Sequence, residues 1–215
     1  MLPFSNQNIY IVTYVTILTM IKNAKGILNP ELPIAYLSVM HWFFSFPRKE
    51  VSLNALREEL SVFAKYAKTT IRSAVLELEK EQFLERQVLG KTWRIRANLD
   101  HSYHRSFKVG YALTMVMERG IIEGVLREYP QARAILLFGS YRKGDDTEES
   151  DLDIAVEITG TADPQMVSLG MLERFGYRRK VKINGLIFSR NNIDLNVFAN
   201  IANGILLYGF LEVKP

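Results

Sequence analysis

Residues 135–158 read ILLFGSYRKGDDTEESDLDIAVEI, and the order of residue types along this stretch decides the fold class. Ile135 to Phe138 and Ile154 to Ile158 are short apolar runs of the kind that form buried strands. Between them come Gly139-Ser140, the basic pair Arg142-Lys143, a second glycine at 144, an acidic loop, and Asp151-Leu152-Asp153. A chain normally keeps unpaired carboxylates away from the start of a buried strand, because desolvating them is costly. Two of them placed there, directly after a glycine turn, call for a partner of opposite charge.

Gly139 follows a strand end, where glycine lets the backbone approach a ligand closely. Ser140 adds a hydroxyl and an exposed N–H, and together the two residues suit a phosphate. Arg142 and Lys143 bring positive charge within reach, and Gly144 allows another sharp turn. Asp151 and Asp153 stand two apart in a strand, so both side chains point to one face, with Cα atoms roughly 6.5–7 Å apart. Paired hard oxygen ligands suit Mg²⁺ or Mn²⁺, and Mg²⁺ usually keeps water and substrate phosphate in its shell. The neighbouring Asp145, Asp146, Glu148 and Glu149 read as a solvated acidic turn.

Outward from this stretch, strands and helices alternate. A long helix is expected over 105–129, ended by Pro130, then strands over 133–138 and 152–158. A helix over about 165–175, a strand over 181–188 and a last helix near 193–204 complete the pattern. Residues 105–215 therefore read as one α+β sheet domain, with 105–129 as its connector helix.

Upstream, residues 31–46 form a strongly apolar helix candidate stopped by Pro47. Ser52 is placed to cap a helix carrying Leu53, Leu56 and Leu60, and residues 65–84 put Ile71, Ala74, Val75 and Leu78 on one face. Residues 84–98 read as a hairpin around Leu89-Gly90-Lys91, with Trp93 and Ile95 alternating with Arg94 and Arg96. Three helices followed by a basic hairpin is the order of a winged helix-turn-helix, assigned here to residues 30–104. In that architecture the third helix enters the major groove and the wing meets the backbone. Lys65, Lys68, Thr69, Thr70 and Arg72, with Lys91, Arg94 and Arg96 of the hairpin, are then the candidate contacts to double-stranded DNA. The same cations also fit the solvated face of a small helical scaffold.

Charge is placed unevenly: residues 1–100 hold 13 Lys/Arg against 9 Asp/Glu, and residues 101–215 hold 14 of each. The surplus in the N-terminal half agrees with nucleic-acid contact there. No cysteine is present, which excludes disulfides and thiolate metal sites. Three histidines, His41, His101 and His104, argue against an imidazole-rich zinc site and leave oxygen to hold any metal. The apolar run Ile9 to Ile21 is shorter than the roughly 20 residues a spanning helix needs, and no basic residue precedes it as in a signal peptide. Residues 1–29 are read as a packing or dimerisation element, with no membrane role. A homodimer and a cytoplasmic location are the expectations that follow.

Leu137-Phe138-Gly139-Ser140, then ten residues, then Asp151-Leu152-Asp153 resembles the signature of the DNA polymerase β-like nucleotidyltransferase superfamily. It looks closest to the minimal nucleotidyltransferases, in particular archaeal forms fused to an N-terminal winged helix. Arg142, Gly144 and Ser150 also stand where that pattern wants them. Residues Asn203 to Gly209 resemble the family's C-terminal helix and its leucine-tyrosine-glycine ending. The likeness is strong over about 130–210 and looser over 30–130. It implies a mixed sheet with flanking helices, and transfer of a nucleoside monophosphate from a nucleoside triphosphate such as ATP to a hydroxyl acceptor through two metal ions. Asp151 and Asp153 would be the catalytic metal ligands, with Gly139, Ser140, Arg142, Lys143 and Ser150 around the nucleotide phosphates.

Active members of that family carry a third carboxylate on a later strand. Asp194 is the obvious candidate, but Ile193, Val197, Ile201 and Ile205 recur every four residues. That spacing puts Asp194 in the first turn of a helix, where an acid suits the helix dipole without a catalytic task. The preceding strand offers only Lys182 or Asn184 at the expected place; a lysine would oppose a metal ion and an asparagine would bind it more weakly. Three functions stay open: an active transferase, a DNA-binding regulator using a catalytically weak transferase domain as a Mg-nucleotide sensor, and an antitoxin-like interaction module for a small helical partner protein.

Overall fold

The computed structural model describes residues 34–160 and 163–212, which divide into two compact units. Residues 1–29, with their expected packing role, lie outside the described residues. The first unit comprises residues up to Phe43 and Pro47–His101. Helix α1 (Ile34–Ser45) runs to the residues just before Pro47, and α2 (Leu53–Leu60) starts at Ser52, whose Oγ accepts from the Ala55 N–H at 3.2 Å. Helix α3 (Lys68–Lys80) buries Ile71, Ala74, Val75 and Leu78, the face its spacing defines. Strands β1 (Leu84–Leu89) and β2 (Thr92–Ala97) pair antiparallel across the Gly90-Lys91 turn, with Gly90 in the left-handed region at φ 60°. A bridge between Val51 and Ile95 adds a third backbone segment to this hairpin.

The second unit comprises Phe44–Phe46 and the described residues from Ser102 onward. Its helical start differs from the expected single helix over 105–129. It is two helices, α4 (His104–Glu118) and α5 (Ile121–Glu128), separated by Gly120 at φ 60°. A residue in that left-handed conformation cannot continue a helix, and glycine takes it without strain.

A five-stranded sheet follows, in the order β5-β6-β4-β3-β7. Strands β3 (Ala132–Phe138) and β4 (Leu152–Ile158) are antiparallel, β4 and β6 (Arg178–Phe188) are parallel, and β5 (Gln165–Phe175) and β7 (Ile205–Gly209) form the antiparallel edges. A five-residue helix, α6 (Gly139–Lys143), joins β3 to the acidic loop, and α7 (Leu195–Ala202) precedes β7. One sheet face buries Ala134, Leu136, Ala155, Leu186 and Phe188 against Ile201 of α7. On the other face Ile135, Leu137, Leu152, Ile154 and Ile183 are buried.

Residues 165–175 are a strand, not the expected helix. Met166, Leu169 and Leu172 recur every third residue, which resembles a helical face. Pairing with β6 overrides that spacing: the ladder runs from Gln165↔Ile187 to Phe175↔Arg178, closed by a tight turn at Gly176 with φ 59°. The C-terminal segment likewise departs from a helix carried through to residue 204. Helix α7 stops at Ala202, and Ile205 to Gly209 pair with β3 as a strand.

Asp146 is also corrected. Rather than lying in a solvated turn it is 4% exposed, and its carboxylate sits 3.1 Å from Nζ of Lys108, whose side chain is 2% exposed. Lys108 also donates to the backbone carbonyl of Asp146, so one ammonium of α4 holds the acidic loop by two bonds. Burial pushes the Asp146 carboxyl up and the Lys108 ammonium down, and each charge opposes the other's shift. Beside them the Arg178 guanidinium donates to the Tyr141 hydroxyl, tying the start of β6 to α6. Removing one member of a buried ion pair strands the other charge, which destabilises by about 3–5 kcal/mol. Lys108→Met is therefore expected to lower the denaturation free energy of this unit by about that amount, and Lys108→Met/Asp146→Leu to recover a large part of it, as urea titration would show.

Candidate functional site

The site lies where β3 ends and β4 begins. Phe138 pairs with Asp153 across that antiparallel ladder, and the chain then turns into α6 at Gly139. Gly139 has φ 70°, and a Cβ there would lie 2.3 Å from Oδ2 of Asp153. Only glycine satisfies both conditions, so the turn and the carboxylate are fitted to each other. Gly144, at φ 70°, closes α6, and a Cβ on it would meet the Arg105 carbonyl oxygen at 2.5 Å.

Asp151 immediately precedes β4, and Asp153 is its second residue; both are half-buried while Leu152 between them is fully buried. Parallel pairing places Asn184 of β6 beside Asp153. Its Nδ2 donates to Asp153 Oδ1 at 3.1 Å and to Asp151 Oδ2 at 3.3 Å, so one amide bridges the two carboxylates. Burial raises the Asp153 pKa; the Asn184 hydrogen bond opposes that shift and the Asp151 charge adds to it.

This geometry tests the expected metal. Two carboxylates converge on one point, and a divalent ion there would relieve both their repulsion and the burial of Asp153. Turned over, the Asn184 amide would offer a neutral carbonyl oxygen as a third ligand. The residues fit one hard cation. Among the described residues no group of three or more His, Cys, Asp or Glu side chains comes together in a way that would hold a metal. Asp194 supplies no third carboxylate: it is the N-cap of α7, with Oδ1 accepting from the N–H of Asn196 at 2.9 Å and of Val197 at 3.2 Å. Lys182 is exposed on β6, two residues before Asn184 and on the same face.

The other expected phosphate ligands are differently placed. Arg142 donates through Nε to the Asn203 carbonyl oxygen. Lys143 is exposed, and with Arg142, Arg105, Ser106 and Asp145 it lines an open cavity of about 570 Å³ that includes neither Asp151 nor Asp153. Ser150 turns its hydroxyl back into the acidic loop, where it accepts from the Thr147 N–H at 2.9 Å.

In the first unit, Lys65, Lys68 and Thr69 are exposed and Thr70 is half-buried at the start of α3. That helix begins without a side-chain cap or an acid in its first turn. Arg72 lies 5.2 Å from the centroid of the Trp93 ring, and Arg86 lies 4.5 Å from it. Lys91 occupies the exposed hairpin turn. Arg94 is paired with Glu50 at 2.7 Å, and Arg96 with Glu85 at 2.5 Å.

Sequence reasoning missed the bridging role of Asn184 and the Lys108–Asp146 pair. Asn184 was legible only as a residue in the right strand, since its partners come from a strand joined to it by pairing and not by sequence. The pair carried no signal, because its members stand 38 positions apart.

Residues 121–209 match a protein-family model described as polymerase beta, nucleotidyltransferase. The match runs from the first residue of α5 to the last of β7 and so covers the whole sheet. No curated protein matches the chain at a significant level. The match supports a nucleotidyltransferase-like function for the second unit, and the five-stranded mixed sheet with its flanking helices fits that family.

The carboxylate pair can be probed directly. Carbon-13 carboxyl NMR titration is expected to place the Asp153 pKa above the ordinary aspartate range. Asp151→Asn should move it down, by removing a like charge, and Asn184→Ala should move it up, by removing the hydrogen bond that favours the ionised form. A folded pKa above the unfolded one means that this group favours the folded state below the unfolded pKa, and that this contribution is lost as pH rises through the folded pKa.

Proposed function

We propose that residues 105–215 bind a nucleoside triphosphate with one divalent ion, Mg²⁺ or Mn²⁺, at Asp151 and Asp153. We propose also that residues 30–104 are a winged helix-turn-helix that binds double-stranded DNA, so that the chain is a nucleotide-responsive regulator with a weak transferase centre. The observation that carries this reading is the Asn184 amide, which bridges Asp151 and Asp153 from the strand where a third carboxylate would stand.

In this reading Asp151 and Asp153 are the charged ligands and Asn184 keeps them oriented. Gly139 and Ser140 offer their N–H groups to the phosphates, and a side chain at residue 139 would displace the Asp153 carboxylate. A bound divalent ion would neutralise the carboxylates and draw the triphosphate into line. Among the described residues no third carboxylate stands at the pair to help ionise an attacking hydroxyl, so binding is served better than transfer. An active transferase is the second reading, and the close fit of Gly139 to Asp153 favours it, since a binding relic has little need of so exact a contact.

For the first unit, support comes from where its cations lie. A helix start repels positive charge, yet Lys68 opens α3 with no acid to offset it, and Lys65 and Arg72 stand nearby. An anionic ligand removes that penalty. Arg94 and Arg96 already have acidic partners, so the weight of DNA contact shifts to Lys65, Lys68, Thr69, Arg72 and Lys91.

Incubation with labelled ATP, GTP, CTP and UTP and either metal separates the two readings of the second unit. Metal-dependent binding without transfer, lost in Asp151→Ala/Asp153→Ala, supports the sensor; Asn184→Asp should then raise transfer by about tenfold or more by restoring a carboxylate. Vigorous transfer by the unaltered protein would establish the enzyme instead. For the first unit, fluorescence anisotropy on a mixed-sequence duplex should show binding that weakens with salt. Lys68→Ala should lower the slope of log affinity against log salt by about 0.9 for one lost phosphate contact, whereas Arg94→Ala should change it little.

A further inference from the structure

Strand β6 carries more toward the carboxylate pair than Asn184. Side chains alternate along a strand, so Lys182, which is exposed, shares its face with the half-buried Asn184. The parallel rungs Leu152↔Ile183 and Asp153↔Asn184 put Lys182 beside the residue that precedes Leu152, which is Asp151. Lys182 thus stands at the end of the sheet where Gly139 and both aspartates meet, roughly 6.5–7 Å in Cα separation from Asn184. Its ammonium makes no ion pair or hydrogen bond among the described residues. The β5–β6 register sets Met171, not an acid, opposite Lys182.

We propose that Lys182 is a binding residue for the β- and γ-phosphates of a nucleoside triphosphate held at Asp151 and Asp153. The proposal rests on the metal–nucleotide reading above and adds the group that makes it balance electrostatically. Asn184 in place of a carboxylate removes one negative charge, and Lys182 adds one positive charge. Together they make up the two charges that a second divalent ion would bring to a three-carboxylate centre. A lysine suits this task because its flexible stem carries a compact charge to phosphate oxygens without demanding a fixed geometry. It also accounts for a cation beside a metal site: with one ion bound by the aspartates, the lysine faces the anionic triphosphate and not the ion.

The test is equilibrium binding to the full-length protein by isothermal titration calorimetry. Mg²⁺ with ATP, ADP and AMP serves as the first probe set, and the GTP, CTP and UTP series follow if ATP does not bind. The unaltered protein is expected to bind the triphosphate with a single Mg²⁺. Lys182→Met should weaken triphosphate binding by roughly 10- to 100-fold, the range for a charge-assisted contact. It should leave monophosphate binding within about twofold, and Lys182→Arg should restore most of the loss. Arg179→Met, which removes an exposed cation three positions earlier in the same strand, is the charge control and should change neither. Equal weakening for mono- and triphosphate, or none for either, would overturn the assignment. No binding of any triphosphate by the unaltered protein would instead bring down the metal–nucleotide reading on which it rests.

Discussion

Two carboxylates at the mouth of a buried strand are the constraint around which the second unit is arranged. Asp151 and Asp153 flank the fully buried Leu152, which anchors the start of β4 and holds the two half-buried carboxylates on one face. Their repulsion is met from two sides. The Asn184 amide donates to both from the neighbouring parallel strand, and Gly139 leaves the space that Asp153 Oδ2 fills. Parallel pairing of β4 with β6 is what makes the first possible, because it sets Asn184 level with Asp153. The loop leading into the pair is held in turn by Lys108, whose ammonium fixes Asp146 from α4.

The first unit distributes charge in a different way. Acids gather at the end of α3 and on the hairpin, where Glu77, Glu79 and Glu85 pair with Lys80, Arg86 and Arg96. The beginning of α3 has cations alone. Exposed pairs of this kind add little stability, at most about 1 kcal/mol each. Their effect is to decide which cations stay available: Glu85 withdraws Arg96, and Glu50, before α2, withdraws Arg94 from a surface that sequence alone counts in full.

Much of this was legible in the sequence. Apolar runs on either side of Gly139 and Asp151 predict β3 and β4 within a residue, and the spacing of Ile71, Ala74, Val75 and Leu78 predicts the buried face of α3. Ser52 acts as the cap its position suggests, and Asp194 does the same for α7. What failed is equally specific. Residues 165–175 carry a three-residue spacing of apolar side chains and form a strand because β6 offers them a ladder. Asp146, in a run of acids, reads as solvated and is buried, since the cation that compensates it lies on a helix far earlier in the chain.

Local chemistry therefore determined most of the elements, the glycine turn and the two aspartates, because each depends on neighbours within a few residues along the chain; the edge strands β5 and β7 instead owe their form to pairing. Tertiary structure decided which groups those aspartates meet. Strand order set Asn184, and neither Asp194 nor any other acid of the described residues, against the pair. The same order laid Lys182 beside Asp151 at one end of the sheet. Hydrogen bonding between strands joins residues more than thirty positions apart, and no local pattern carries that information.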